Sequence, residues 1–467
     1  MKTSLMESDK ELKQTICELE RTLWAKVIEC AKEVYVRLLE QIDGFIKQNR
    51  PKNLVIEHKR STWYKTWLGS IRVNRRQYRD QEGNYRYLLD ELLGMEKYSH
   101  ITTKVQETAL DLAGNMTFRR SAETLRKTTS IDLSHQTIHR LLKRTADGYL
   151  KKADKETAWF QETGELPQVD GKKVGRLMIE ADGVMLSLQR ETAQKTEVKL
   201  GISYEGWNKI GKDRYSTLNK TIFADIADSA KFWAVMTLKL HKRYDLSNIK
   251  QTVVGGDGAR WIKEGVDYFG ATYQLCRYHL NRELCYALGH DKETLKLVQH
   301  NLNRGELDVA LNLLKEAATV AKADKAQNIK RVIRYINSNA SGLKDYREQA
   351  DQYDNNLRRT GAIEGNVDKL IVRRMKNQGM NWTRQGIRRM LWLRIKQREG
   401  KLLDCLAAHE NETIPHVAPV KRVNRVIERT IKYDYTNYFS AGLPALSGPH
   451  VSRPWAEMLK SLTGLAS

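Results

Sequence analysis

A mixed α/β architecture is what this chain of 467 residues predicts, and three observations predict it. The β-rich runs 174–189 and 198–207 and the strand 221–226 read as hairpin partners. Two short apolar strands, 252–256 and 271–275, are each followed by a helical pattern, as in parallel strand–helix units. From 281 to about 353 the periodicity is wholly helical, carried by Leu295, Val298, Leu302, Leu307, Leu311 and Leu314 and then Ile329, Val332, Ile333 and Ile336. Hairpins followed by strand–helix units make a mixed sheet, and the helical stretch reads as an insertion into it. Domains usually run ~100 to 200 residues, so about three units are expected.

The elements follow in chain order. Leu12, Ile16, Leu19, Leu23, Val27, Ala31, Val34, Leu38 and Phe45 place an apolar stripe on one long helix over 8–47. The spacing drifts from a strict heptad, so packing on its own domain is favoured over a dimerising coiled coil. Residues 63–93 read as twisted strands joined at Gln81-Glu82-Gly83-Asn84, with Tyr85-Arg86-Tyr87-Leu88-Leu89 as the returning strand. Short helices at 119–128 and 134–146, separated by 129–133, resemble a helix-turn-helix. Ser134 would cap the second, whose outer face offers His135, Gln136, His139, Arg140 and Lys143 to a DNA groove; solvated bundle helices would look the same. His135 and His139 have ligand spacing but lack a third ligand, and read as polar surface. A further long helical region is expected over 360–397, and the prolines at 415, 419, 444, 449 and 454 mark a loop-rich tail.

Charge narrows the function classes. With 80 Lys+Arg against 57 Asp+Glu the net charge is +23, and the natural partner is a polyanion. Residues 357–401 hold 13 Lys+Arg against 3 Asp+Glu, which points Arg373, Arg374, Arg388 and Arg389 at a phosphate backbone; the alternative is a solvated basic helix face. No run reaches the ~18 apolar residues of a membrane span, and the first ten residues are polar, which sets aside integral-membrane and secreted readings. Five scattered cysteines without a C-x-x-C pair suit a reducing compartment.

Three acids could carry chemistry. Asp182 lies in Glu180-Ala181-Asp182-Gly183-Val184, where the apolar parity changes past Gly183; a glycine bulge would aim Asp182 out of the sheet, and a plain Asp-Gly hairpin turn is the alternative. Asp170-Gly171 is a rival outside the strand. Asp257, in Gly255-Gly256-Asp257-Gly258-Ala259, follows a buried strand and precedes a helix, where sites gather in open α/β sheets, or else it caps that helix. Glu364 flanks the stripe of Ile363, Val367 and Leu370 with Asp368 one turn on, and could equally be solvated. Together such groups can share two Mg²⁺ ions, which favour carboxylate oxygens and serve phosphoryl transfer.

Several segments resemble the ISLre-type insertion-sequence transposases, related to Mutator-like DDE transposases. They are Tyr87-Leu88-Leu89-Asp90-Glu91-Leu92-Leu93-Gly94, Glu180-Ala181-Asp182-Gly183-Val184, Gly201-Ile202-Ser203-Tyr204-Glu205-Gly206-Trp207, Gly256-Asp257-Gly258-Ala259-Arg260-Trp261-Ile262-Lys263, Gln274-Leu275-Cys276-Arg277-Tyr278-His279-Leu280 and Gly361-Ala362-Ile363-Glu364-Gly365-Asn366-Val367-Asp368-Lys369. The resemblance implies a ribonuclease H-like core with Asp182, Asp257 and Glu364 as catalytic metal ligands for two Mg²⁺ (or Mn²⁺) ions. It implies strand cleavage and transfer on double-stranded DNA, at terminal inverted repeats and target, by a bacterial cytoplasmic protein acting as a homodimer or higher oligomer. Cys276 and His279 match a Cys/Asp-x-x-His signature near such sites. With Cys285 and His290 they fit no standard zinc knuckle, so zinc is not expected there. The organisation implied is 1–50, a long helix and candidate dimerisation element; 51–165, DNA binding; 166–280, the first part of the core; 281–353, the helical insertion; 354–401, the last core helices; and 402–467, the tail. A non-catalytic DNA-binding repressor or domesticated transposase, and a structure-specific nuclease, are the competing readings.

Overall fold

The computed structural model describes residues 2–95, 99–167, 170–212, 214–349, 357–377 and 379–408. Most of the expected Pro-containing tail therefore lies outside the described residues. The contacts divide the chain into two units, the first comprising Met1–Ala113, Thr117–His139 and the segment from Leu403, the second Gly114–Met116 and Arg140–Leu402.

In the first unit, α1 (Lys2–Gln48) is a single helix. Its later turns bury Leu39, Ile42 and Ile46 with Tyr64, Ile71, Val73 and Tyr78, whereas Ile16, Leu23, Trp24 and Val27 stay exposed. The face that makes core is therefore offset from the expected stripe, whose later members Ala31, Val34, Leu38 and Phe45 are half-buried beside it. Strands β1 (Val55–Thr66) and β2 (Gly69–Arg79) form an antiparallel hairpin. Gly69 takes φ +105°, a conformation that favours glycine. The returning strand expected over 85–89 is cut short: only β3 (Tyr85–Arg86) pairs with β2, and α2 (Leu88–Leu92) begins at once. The cause is Asp90, which sits buried in that helix and accepts hydrogen bonds from Tyr64 and from Arg75 Nε (2.6 Å), so this motif ties α2 to the hairpin.

Helices α3 (Thr103–Asn115), α4 (Phe118–Thr128) and α5 (His135–Thr163) follow. Thr117 caps α4 by accepting from the Arg120 backbone N–H at 3.2 Å, and Ser134 Oγ accepts from the Thr137 N–H at 3.1 Å at the start of α5. The second helix runs 17 residues past the expected end at 146.

The second unit is built on a mixed sheet. Its strands are β4 (Arg176–Leu188), β5 (Lys195–Tyr204), β8 (Thr221–Asp225), β9 (Gln251–Gly256) and β10 (Thr272–Leu275), in the order β10-β9-β4-β5-β8. A separate ribbon of β6 (Gly206–Lys209) and β7 (Tyr215–Leu218) interrupts the chain between β5 and β8. β4–β5 and β5–β8 are antiparallel, and β4–β9 and β9–β10 are parallel. One sheet face packs on α6 (Ser229–His241) and α7 (Arg260–Phe269) through Ile179, Ala181, Phe232, Trp233, Met236, Val254 and Ile262. Gly201 is bare because a Cβ there would meet Phe232 at 3.0 Å, and Gly265 because it would meet Trp233 at 2.4 Å. Both glycines let helices approach closely.

Helices α8 (Arg277–Leu288), α9 (Lys292–Asn303), α10 (Leu307–Val320) and α11 (Ala323–Ser338) form a separate core around Leu284, Val298, Leu302, Leu314, Ile329, Val332 and Ile336. The helical region expected over 360–397 is instead broken into α12 (Ala362–Val367), a π-helical run Asp368–Lys376, β11 (Asn381–Trp382) and α13 (Arg384–Glu399). β11 pairs in parallel with the far end of β4.

Gly183 neither bulges nor turns. The β4–β5 ladder runs unbroken from Met178↔Tyr204 to Ser187↔Lys195, with Asp182 opposite Leu200 and Gly183 opposite Lys199. The change of parity has another cause: β4 is buried on both faces from Leu177 to Asp182, but the even-numbered face there carries the buried acids Glu180 and Asp182, and beyond Gly183 the same face is filled by Val184, Leu186 and Leu188.

Candidate metal centre

The β4–β9 register sets the site. Glu180 pairs with Gly255, so Asp257, two residues on, is level with Asp182 at the carboxyl end of β9. β10 ends at the same height, Leu275 opposite Gly256, and the next residue, Cys276, donates its N–H to Gly256 O at 2.8 Å. One edge thus receives Asp182 from a central strand, Asp257 from a neighbouring strand end, and Cys276 with His279 from the first turn of α8. The cap alternative for Asp257 is not what the fold uses: Ala259 holds the N-cap position of α7, and Asp257 Oδ1 accepts from the Ala259 N–H at 2.9 Å. Gly258 has φ +97°, and a Cβ on it would meet Asn339 Oδ1 at 2.6 Å, so the turn carrying Asp257 requires glycine twice over.

Glu364 is delivered by α12, and α12 is held by Glu180. That carboxylate is 1% exposed; it accepts the Tyr204 hydroxyl and the backbone N–H groups of Gly361 (2.9 Å) and Ile363 (3.0 Å). Burial pushes the Glu180 carboxyl up, and these donors oppose that shift. Alternation along β4 put Glu180 on the face of Asp182, which was the one signal for it in the sequence; its service to a helix 181 residues away had none.

The acids lie close to one another. Burial first, then the charges of Glu364 and Asp257, push the Asp182 carboxyl up to about 7, against the Gly183 N–H that donates to Oδ1 at 2.8 Å. Ligand atoms of Asp182, Asp257 and His279 fall within 4.8 Å of one another, and so do those of Cys276, His279 and Glu364. Glu364 Oε1 is 3.1 Å from His279 Nδ1 and accepts from Cys276 Sγ at 3.7 Å. The Cys276 thiol is buried and pushed up to about 12, chiefly by desolvation. Asp368 stands apart, paired with Arg373 at 2.7 Å, and Asp170 is exposed. Cys285 and His290 are exposed as well.

Of the four arginines expected at phosphate, three are engaged within the unit. Arg374 is 4% exposed, stacks over Trp382 and is pushed down to about 10 by burial and by Arg394. Arg388 bridges Asp154 (2.9 Å) and Asp225 (3.1 Å), and Arg389 bridges Asp147 (2.7 Å). Arg373 remains on the surface. Along α5, Gln136, Arg140 and Lys143 are exposed at the spacing of one helix face, and His135 is half-buried. His139 is exposed and meets the Phe118 ring edge-on.

A family model described as "Uncharacterised protein family (UPF0236)" matches residues 11–412. The chain belongs to that family. A UPF0236 protein of Caldanaerobacter subterraneus subsp. tengcongensis, whose name spans eleven loci, is 26% identical over 79% of this chain and 75% of its own length. A UPF0236 protein in the vanSb 3′ region of Streptococcus gallolyticus is 27% identical over 85% of this chain and 87% of its own. Among solved structures, the Drosophila P element transposase strand transfer complex matches at 11% identity over 73% of this chain and 94% of that one, with a TM-score of 0.24, too low to bear on fold or function. No helix among the described residues of this UPF0236 protein is long and apolar enough to cross a membrane.

Proposed function

We propose that this UPF0236 protein is a DNA transposase of the bacterial ISLre type, with Asp182, Asp257 and Glu364 as the ligands of two Mg²⁺ (or Mn²⁺) ions in a ribonuclease H-like core. The observation that carries the reading is the gathering of three carboxylates, 75 and 107 residues apart in sequence, where burial first and then the charges of Glu364 and Asp257 raise Asp182. Oxygen donors with unrelieved like charge are what hard divalent cations take. The sheet supports it too: three antiparallel strands followed by two parallel ones, with acids on the central strand and on the next strand's end, is the order a ribonuclease H-like fold requires.

Each residue then has a defined task. Asp182 must release its proton to bind a cation, while its Oδ1 stays oriented by the Gly183 N–H. Asp257 is oriented by the Ala259 N–H, and Glu364 by a helix that Glu180 anchors. Ions held by Asp182, Asp257 and Glu364 would supply charge stabilisation for the attacking and leaving oxygens in phosphoryl transfer. The net charge of +23 supplies attraction to DNA, and the exposed face of α5 carrying Gln136, Arg140 and Lys143, with His135 beside it, is the candidate reader of element ends. A single relative's name covering eleven loci of one genome fits a mobile element.

The test is incubation of the full chain with Mg²⁺ and DNA carrying the inverted repeats that flank its gene. Joined strand-transfer product is expected. Cutting without joining would replace the reading with a structure-specific nuclease, and binding without cutting would replace it with a repressor or domesticated copy.

A further inference from the structure

We propose that Cys276, His279 and Glu364 form a second cation site, chemically distinct from the Asp182–Asp257 pair, that takes a thiophilic divalent ion of the Zn²⁺ class. The donor set is one sulfur, one imidazole nitrogen and one carboxylate oxygen, the mixture that selects borderline-soft transition ions over Mg²⁺. Its geometry is already near what such an ion needs. Tetrahedral bonds of about 2.0 to 2.3 Å put neighbouring ligand atoms about 3.3 to 3.6 Å apart; here Glu364 Oε1 is 3.1 Å from His279 Nδ1 and 3.7 Å from Cys276 Sγ.

A second observation points the same way. His279 is 5% exposed, and its Nδ1 is a buried nitrogen that makes no properly angled hydrogen bond, even to the carboxylate beside it. A buried ring nitrogen left in that state costs free energy that a coordinated cation would recover. The backbone fixes two of the three donors: Cys276 is the N-cap of α8 and His279 lies one turn on, with the Cys276 N–H anchored to β9. Three protein donors leave a fourth position open, as in zinc sites that exchange a ligand. The third donor comes from 85 residues beyond the Cys-x-x-His pair, which is why no zinc-knuckle spacing exists in the sequence.

An ion held here through Glu364 Oε1 leaves the second carboxylate oxygen of Glu364 for the Asp182–Asp257 pair. The donor set is independent of whether the protein cuts DNA, and the test reads the ion alone. Co²⁺ added to the metal-free full chain should give a thiolate-to-cobalt charge-transfer band in a 1:1 complex, bleached when Zn²⁺ displaces it. Cys276→Ser should abolish the band, Cys285→Ser should keep it, and His279→Ala should weaken Co²⁺ binding at least tenfold. Far-UV circular dichroism checks each variant's fold; if Cys276→Ser does not fold, the His279→Ala titration decides. The absence of a band in the wild type, a band that survives Cys276→Ser, or unchanged affinity in His279→Ala would overturn the proposal.

Discussion

The second unit contains two dense clusters of charge, and they are opposites. Along α13, Arg388 and Arg389 are matched by Asp154, Asp225 and Asp147, and Arg394 donates to Leu370 O, Lys369 O and Asn115 Oδ1. At the end of β4 and β9, three carboxylates gather with a few oriented N–H groups, and Asp182 is pushed up to about 7. In sequence both clusters look functional. The difference lies in compensation: the arginines are neutralised by the fold and hold helices to the sheet, whereas the acids carry a surplus that the fold does not remove. Uncompensated buried charge, rather than charge density along the chain, marks the site.

Substitutions should break the two clusters in different ways. Asp182→Ala, Asp257→Ala or Glu364→Ala should each lower Mg²⁺-dependent strand cleavage by about 10³-fold while leaving DNA retention in a mobility-shift assay unchanged. A variant with full cleavage removes its residue from the site. Arg388→Ala should instead cost stability, on the order of 3 kcal/mol in chemical denaturation, because Asp225 is left buried without its partner. A loss of DNA affinity without a loss of stability would return Arg388 to the phosphate-binding set.

Asp182→Asn should sharpen the contrast through pH. A carboxyl raised to about 7 in the folded protein, against an ordinary value near 3.9, favours folding only while it is protonated. That contribution is complete below the unfolded value and is lost as pH rises through 7. The variant should therefore be more stable than wild type at pH 8, by a few kcal/mol in order of magnitude, and no more stable near pH 4. A pH-independent difference would refute the crowding of the acids. The smallest effect belongs to Arg373→Ala, whose exposed pair with Asp368 should be worth no more than about 0.5 kcal/mol.

Much of this arrangement was legible in the sequence, for identifiable reasons. Alternation and helical periodicity are local, so the strands near 177, 200, 222, 253 and 273 and the helices from 277 to 338 could be anticipated. The placement of the three acids was legible because motif and position agreed: Asp182 on a strand, Asp257 past a strand end, and Glu364 on a helix after the insertion. Local patterns also misled. Buried acids on one face of β4 imitated a bulge at Gly183, and Asp90 turned a hairpin strand into a helix. Partners distant in sequence left no local trace, such as Asp154 for Arg388 across 234 residues. Compensation is a property of the folded neighbourhood, so the internal engagement of Arg374, Arg388 and Arg389 within the basic run at 357–401 left no mark in the sequence.

The most direct measurement is a Mn²⁺ titration of the full-length protein followed by electron paramagnetic resonance, with Asp257→Ala alongside. Binding that Mg²⁺ displaces, and that weakens at least about tenfold in the variant, is the expected result. Mn²⁺ binding of equal strength in both proteins, or none in the wild type, would contradict the claim that these carboxylates converge to hold divalent cations.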